Sequence, residues 1–436
     1  MEERTLIARL PSQVGSEVVI HGFVDSVRDQ KNVQFVIVRD HTGKAQIVHG
    51  KEDKESSMTQ EISALTPESA VTVRGSVIKA SQVTLGGVEI HAKSLFVQGM
   101  AETPLPIADD SVLEKQMDWR HVSLRHPKNA LTFRVQTTME HAMRAYWAQN
   151  GFIELHSPKL MGTASESGAE LFELSYFNDK TAYLAQSPQF YKQMAMAAGF
   201  DKVFEIGPVF RANPSFTSRH DTEFTSVDVE LSWIESYKDV MAMEEEWIVF
   251  FLQAVKQAHG DTIKDVCASE VVIPQRPFPR LTLAQARDVL EKKGHVIGHK
   301  ADLDPQGERL LSDYIRDTHG HEFVFVTDYP TSVRPFYHMR DPNNPDVTLS
   351  YDLLWKGIEI TTGAQREHRL DILTRQAIEK GVAIEPLTSY LNFFRYGCPP
   401  HGGFGLGLTR LLMVMLNASN VREVTYLYRG PHRLSP

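Results

Sequence analysis

Residues 203–230, VFEIGPVFRANPSFTSRHDTEFTSVDVE, constrain this chain more than any other stretch. A β-branched and aromatic run over 203–211, kinked at Gly207-Pro208, and an alternating run over 223–231 predict two antiparallel strands. Between them Asn213, Pro214, Ser215, Thr217 and Ser218 form a turn cluster too polar to bury. Arg211 stands at one root of this loop, and Arg219 and His220 stand at the other. Two guanidiniums and an imidazole facing one cavity repel each other unless a polyanion lies between them. The same residues fit a surface hairpin with scattered charges, and this stretch alone leaves both readings open.

Bulk properties narrow the class. A chain of 436 residues has room for two or three domains. Its 42% hydrophobic and 23% charged content are those of a soluble globular protein. No apolar run approaches the roughly 20 residues that span a bilayer, and the start, MEERTLIARLPSQ, lacks the pattern of a signal peptide. Cys267 and Cys398 are the only cysteines, and neither CxxC nor HExxH occurs. A disulfide framework or structural zinc is therefore not expected, and a reducing cytoplasm fits. The net charge of −9 argues against indiscriminate nucleic-acid binding but allows a local basic track.

Along the chain, alternating apolar runs over 18–24, 33–38, 45–48, 70–77 and 88–97 predict five short strands separated by turn signals. They predict a small β-barrel of the OB type over 1–100, plugged by a helix over 57–65. On its surface Phe35 is placed to stack a base, and Arg28 and Gln46 to read or clamp it. Equally, Phe35 belongs to a core and Arg28 to solvent. Residues 101–125, with Pro104 and Pro106, predict a stiff linker, leaving 126–436 as a second domain.

In that second domain, 127–150 reads as a helix with Leu131, Val135, Met139, Ala142 and Tyr146 on one face. It feeds a strand ending at Pro158, which suits a subunit interface or ordinary core. The small residues and two carboxylates of 163–170 predict a mobile lid or a solvated linker. Ser187-Pro188 starts a helix that puts Gln189, Lys192 and Gln193 together. Lys192 there either holds a ligand carboxylate or snorkels to water. Over 349–369 two strands turn at Lys356-Gly357, with Glu359 and Thr361 on one face. Asp352 and Glu359, with the Thr362 hydroxyl, suit Mg²⁺ bridging phosphates, or form a surface carboxylate pair. HGGFGLGLTR, 401–410, leads into a last long helix whose first turns carry Arg410, placed over a purine or on a phosphate. It is neither a P-loop nor a Rossmann fingerprint.

Helix-strand-Pro158, FRAN…RHDTEF and GLGLTR, in this order behind the barrel, resemble the three motifs of a class II aminoacyl-tRNA synthetase. The resemblance covers nearly the whole chain and is strongest to the compact aspartyl enzymes of archaeal and eukaryotic type. It implies an α+β protein: an OB barrel that reads a tRNA anticodon through Arg28, Phe35 and Gln46, and an antiparallel sheet flanked by helices. It also implies a homodimer. Arg211 and Arg410 would be catalytic, with Arg211 on the α-phosphate of ATP. Arg219 and His220 would take the distal phosphates, Phe224 and Arg410 would sandwich adenine, and Asp352, Glu359 and Thr362 would serve Mg²⁺. Glu170 and Gln189 would fix the ammonium and orientation of L-aspartate, while Lys192, a lone ammonium, and Arg366 would grip its side-chain carboxylate. Asparaginyl relatives carry an acidic residue at the place of Lys192. The implied tRNA is tRNA-Asp, with tRNA-Asn left open. An asparaginyl enzyme or a non-charging paralogue, such as an amino-acid biosynthetic ligase, is the alternative. Two positions depart from or vary within the family: Asn213 stands where a glutamate is usual, and Asp25 lies where relatives that separate the two tRNAs differ.

Overall fold

The computed structural model describes residues 3–53, 55–162, 171–214 and 217–436, and the chain divides into two compact units, 1–111 and 112–436. In the first unit the strands Glu17–Asp29, Val33–Asp40, Gly43–Gly50, Ala70–Lys79 and Val88–Gly99 close into a barrel. The third and fifth run parallel and the other neighbours antiparallel. Period-2 alternation drives closure: Gln34, Val36 and Val38 are buried while Phe35 and Ile37 stay partly open. Gln34 is fully buried and donates to the Thr59 carbonyl (3.0 Å) and to Ser63 (2.8 Å). Those bonds tie the helix Ser57–Ala64, which sends Ile62 into the barrel core.

The linker expected over 101–125 is shorter than the spacing of prolines and charges implied. Helices Leu113–Asp118 and Arg120–Ser123 belong to the second unit. Arg120 is buried there because its guanidinium donates to the carbonyls of Glu423, Thr425 and Tyr426.

An eight-stranded sheet organises the second unit. Its order is Arg280–Thr282, Phe323–Thr327, Ser350–Trp355, Ile358–Gln365, His401–Gly407, Glu223–Ser232, Lys202–Phe210, Ile153–Glu154. The six central strands are antiparallel, and a parallel strand closes each edge. Helix Tyr237–Cys267, absent from the sequence expectations, begins at a Ser236/Asp239 capping box. It stacks Trp247 on Trp147 of helix Pro127–Gln149, with ring centroids 4.9 Å apart. Truncating either indole would cost about 3–5 kcal/mol.

Two local features differ from expectation and shape the site. His401–Gly407 is a central strand, and the helix after it, Leu408–Met415, has only 8 residues. Its glycines serve close approach: a Cβ on Gly403 would overlap the Val229 carbonyl and the Glu230 carboxylate. The second is a β-bulge, where the register slips between Leu353 and Leu354 so that Leu353 faces Thr361 and Leu354 faces Glu359. Among the described residues no helix is long and apolar enough to cross a membrane.

Candidate active site

One cavity of about 380 Å³ opens over the middle of the sheet, and Lys192, Arg211, Glu359 and Arg366 all line it. Its lining carries six lysines and arginines against three carboxylates, Asp221, Asp228 and Glu359. That excess favours an anionic ligand.

The mouth is built by the long hairpin. Val209 pairs with Phe224, and the Arg211 N–H donates to the Thr222 carbonyl at 2.8 Å, which fixes both roots of the loop. Arg211 is exposed, its guanidinium lies 5.3 Å from the Phe224 ring centre, and it makes no ion pair among the described residues. Arg219 pairs with Glu308 at 2.7 Å. Arg410, in the first turn of Leu408–Met415, lies 3.5 Å from Glu359. The His220 pKa is held below its ordinary value, first by burial and then by Arg410, Arg211 and Arg219. The two guanidiniums of the loop and Arg410 from outside it therefore all act on one imidazole.

The bulge sets the carboxylate-hydroxyl pair. Regular alternation would put Glu359 and Thr362 on opposite faces. The extra residue brings both into the cavity, with the Thr362 hydroxyl donating to Glu359 at 3.1 Å. Thr361, expected beside Glu359, instead donates to Glu244 on the helix side at 2.6 Å. Asp352 is the main correction. It pairs in register with Thr362, yet its carboxylate is buried, is not itself among the lining residues, and accepts at 2.5 Å from Arg334, which is. What takes it from the cavity is its pairing with Arg334, since a buried carboxylate needs a cation of its own. Among the described residues no group of three or more His, Cys, Asp or Glu side chains is placed to hold a metal.

The floor is buried and tightly paired. Helix Gln189–Ala197, with the Ser187 hydroxyl accepting from the Gln189 N–H at 3.1 Å, presents Gln189, Lys192 and Gln193 inward. Lys192 is not the solitary ammonium expected from the sequence. It contacts Asp228 at 2.9 Å, Glu230 Oε2 at 3.3 Å and the Phe404 carbonyl at 3.1 Å. A lysine 3% exposed needs such partners, because an isolated buried charge is too costly. Arg366 grips Glu230 through Nε at 2.9 Å and Nη2 at 3.3 Å, and meets His338 at 3.0 Å. Burial works against the Glu230 charge, but Arg366 and Lys192 outweigh it and hold its pKa below the ordinary value. His338, buried among these cations, is held well below the usual imidazole range and is neutral.

Asp228, Glu230, Asp221, Arg334 and Glu308 were not singled out from the sequence. The signal for the first two was present: Phe224, Ser226, Asp228 and Glu230 are alternate residues of one strand and share a face. Asp221 also lines the cavity, and burial pushes its carboxyl up to about 7 against the Thr409 hydroxyl, Arg410 and Arg422. Gln189 lines the cavity, with its side-chain Nε2 buried and without a hydrogen-bond partner among the described residues. Glu170 and the lid expected over 163–170 lie outside the described residues. On the barrel, Arg28 is the cross-strand neighbour of Phe35, and Gln46 of Ile37. All three lie off the barrel core, and Gln46 donates to Glu89 at 3.0 Å.

Residues 113–429 match the family of class II tRNA synthetases (D, K and N), and residues 18–97 match the OB-fold nucleic acid binding domain. The chain is a class II aminoacyl-tRNA synthetase. It is 40% identical over 426 residues to the aspartate–tRNA(Asp) ligase of Pyrococcus abyssi, covering 97% of each chain. It is 39% identical over 432 residues to the aspartate–tRNA(Asp/Asn) ligase of Methanopyrus kandleri, covering 98% of this chain and 97% of the other. Among solved structures it resembles asparaginyl-tRNA synthetase from Pyrococcus horikoshii complexed with asparaginyl-adenylate. There the TM-score is 0.92 at 32% identity, with full coverage of both chains. It also resembles aspartyl tRNA synthetase from Entamoeba histolytica, with TM-score 0.88 at 32% identity and 100% and 93% coverage.

Proposed function

We propose that this synthetase activates L-aspartate with ATP and transfers it to the 3′ end of tRNA-Asp. The observation that carries the reading is the convergence of Lys192 and Arg366 on one oxygen, Glu230 Oε2, at 3.3 Å each. Two fixed cations flanking a point at the cavity floor suit a carboxylate side chain. An amide turned toward them would set N–H donors against N–H donors. The incoming carboxylate gains Lys192 and Arg366 by sharing them with Asp228 and Glu230. Gln189 and Glu170 orient the α-ammonium end.

At the mouth Arg211 meets the α-phosphate, Arg219 and His220 the distal phosphates, and Phe224 and Arg410 the adenine. The α-carboxylate oxygen forms a bond to the α-phosphorus in line while the bond to the bridging oxygen breaks and pyrophosphate leaves. The terminal ribose hydroxyl of tRNA then attacks the mixed anhydride, and AMP leaves. Positioning and charge neutralisation supply the rate, with Arg211 facing the charge that grows in the transition state. Glu359 and Thr362 fit Mg²⁺, an ion that binds through few protein oxygens and keeps waters and phosphate oxygens around it. When bound it neutralises charge on the phosphates. Asp352 gives Oδ2 to Arg334, which leaves its buried Oδ1 as the atom that would face that set. The barrel reads the anticodon with Arg28, Phe35 and Gln46. The enzyme works as a cytoplasmic homodimer; Ile153, 46% exposed on the sheet's edge strand, is an apolar residue that a second copy would cover.

Amino-acid-dependent ATP–pyrophosphate exchange tests the substrate. Exchange with aspartate and not asparagine is expected, and the reverse would overturn the reading in favour of an asparaginyl enzyme. Charging purified tRNA-Asp and tRNA-Asn then decides between a strict and a relaxed ligase.

A further inference from the structure

The three guanidiniums at the cavity mouth are not equivalent. Arg211 makes no ion pair among the described residues, and Arg410 lies 3.5 Å from Glu359. Arg219 is held at 2.7 Å by Glu308, a residue 89 positions away that is itself buried. Glu308 sits in the first turn of helix Pro305–His319. The same helix braces the turn whose Gly357 carbonyl accepts from Arg219 Nη2 at 3.5 Å: a Cβ at 357 would lie 3.0 Å from the Arg309 side chain. Helix, turn and guanidinium form one wall, and Glu308 is not among the residues lining the cavity.

We propose that Glu308 is an internal competitor for Arg219, so that its charge limits how tightly the distal phosphates of ATP, and then pyrophosphate, are held. This rests on the reading that Arg219 meets those phosphates. A phosphate and the Glu308 carboxylate make rival claims on one guanidinium and repel each other. The groups facing Glu308 are Arg219 and Arg410, which favour its charge, and Glu359, which opposes it. Burial has already raised its carboxyl to about 7, so it takes up a proton readily near neutrality. Phosphate binding and proton uptake at Glu308 therefore reinforce each other. The competition ensures that pyrophosphate is released above neutral pH instead of lingering on Arg219.

The test is Glu308→Gln in the full chain, with ATP and pyrophosphate as probes. Binding is measured by calorimetry, alongside the ATP KM in exchange, from about pH 6 to about pH 8.5. At the alkaline end E308Q should bind pyrophosphate about fivefold tighter than wild type, with a lower ATP KM. At the acid end the two proteins should converge. Glu308→Asp, which keeps the charge, should retain the wild-type pH slope, and it stands in should E308Q fail to fold. Weaker or equal pyrophosphate binding by E308Q at alkaline pH would overturn the proposal, as would a difference independent of pH. Calorimetry needs no amino acid, so absence of aspartate-dependent exchange in the wild type would refute the functional reading separately.

Discussion

Arg211→Ala is the substitution that most cleanly separates catalysis from folding. Arg211 is exposed at a loop root, and its guanidinium lies over the Phe224 ring, 5.3 Å from the ring centre. Losing an exposed cation–π contact costs about 0.5–1 kcal/mol. Among the described residues no carboxylate is orphaned, so the melting temperature should fall by no more than about 4 °C. Catalysis should fare very differently. Among the described residues no carboxylate pairs with this guanidinium, and an arginine stabilising phosphoryl-transfer charge supplies about 10³–10⁵ in rate. That is about 4–7 kcal/mol of the barrier. Aspartate-dependent ATP–pyrophosphate exchange should drop by that factor while near-UV circular dichroism stays unchanged. Exchange within tenfold of wild type would refute the reasoning, as would a loss of exchange that tracks a loss of tertiary signal. Arg366→Ala is the contrasting control, because it strips Glu230 of its bidentate partner at the buried floor and should destabilise by about 3–5 kcal/mol.

Asp221, raised from 3.8 to about 7, keeps its proton in the folded protein where the unfolded chain has lost it. Its neutral form stabilises fully at acid pH, and that contribution drains away as pH climbs from about 4 to about 7, a cost on the order of 4 kcal/mol. Asp221→Asn should therefore match wild type in acid urea melts and exceed it at pH above neutral, and parallel curves at both pH values would count against it. Gly403→Ala should cost more than about 3 kcal/mol, because the methyl meets backbone on the neighbouring strand; a melting curve like wild type would show the strand can shift. Glu359→Gln should lower exchange and the apparent Mg²⁺ affinity by at least about 10–100-fold. An unchanged Mg²⁺ titration would remove Glu359 from the metal's surroundings.

Much of this was legible in the residues. The barrel strands announced themselves by alternation, and the hairpin by its paired runs around a polar loop. Three features were hidden. The glycine-rich run 401–407 was hidden because glycine signals a turn or loop more strongly than Phe404 and Leu406, its two apolar alternates, signal a strand. The bulge between Leu353 and Leu354 cannot be seen in composition, so Glu359 was paired with Thr361; nor can the ion pair by which Arg334 holds Asp352. The partners of Lys192 lay one strand away in VDVE, two charges at the right spacing whose inward direction depends on which face meets the core. Pairing across sequence distance was the missing knowledge each time.

The glycine strand also limits how this site can change. Gly403, Gly405 and Gly407 leave a bare trough between Glu223–Ser232 and Ile358–Gln365, and the chemistry above it is supplied from the banks and from Lys192 overhead. A lineage that switched amino acid would have to redraw positions 192, 228, 230 and 366 as a linked set, since each neutralises another, while the trough itself stayed blank.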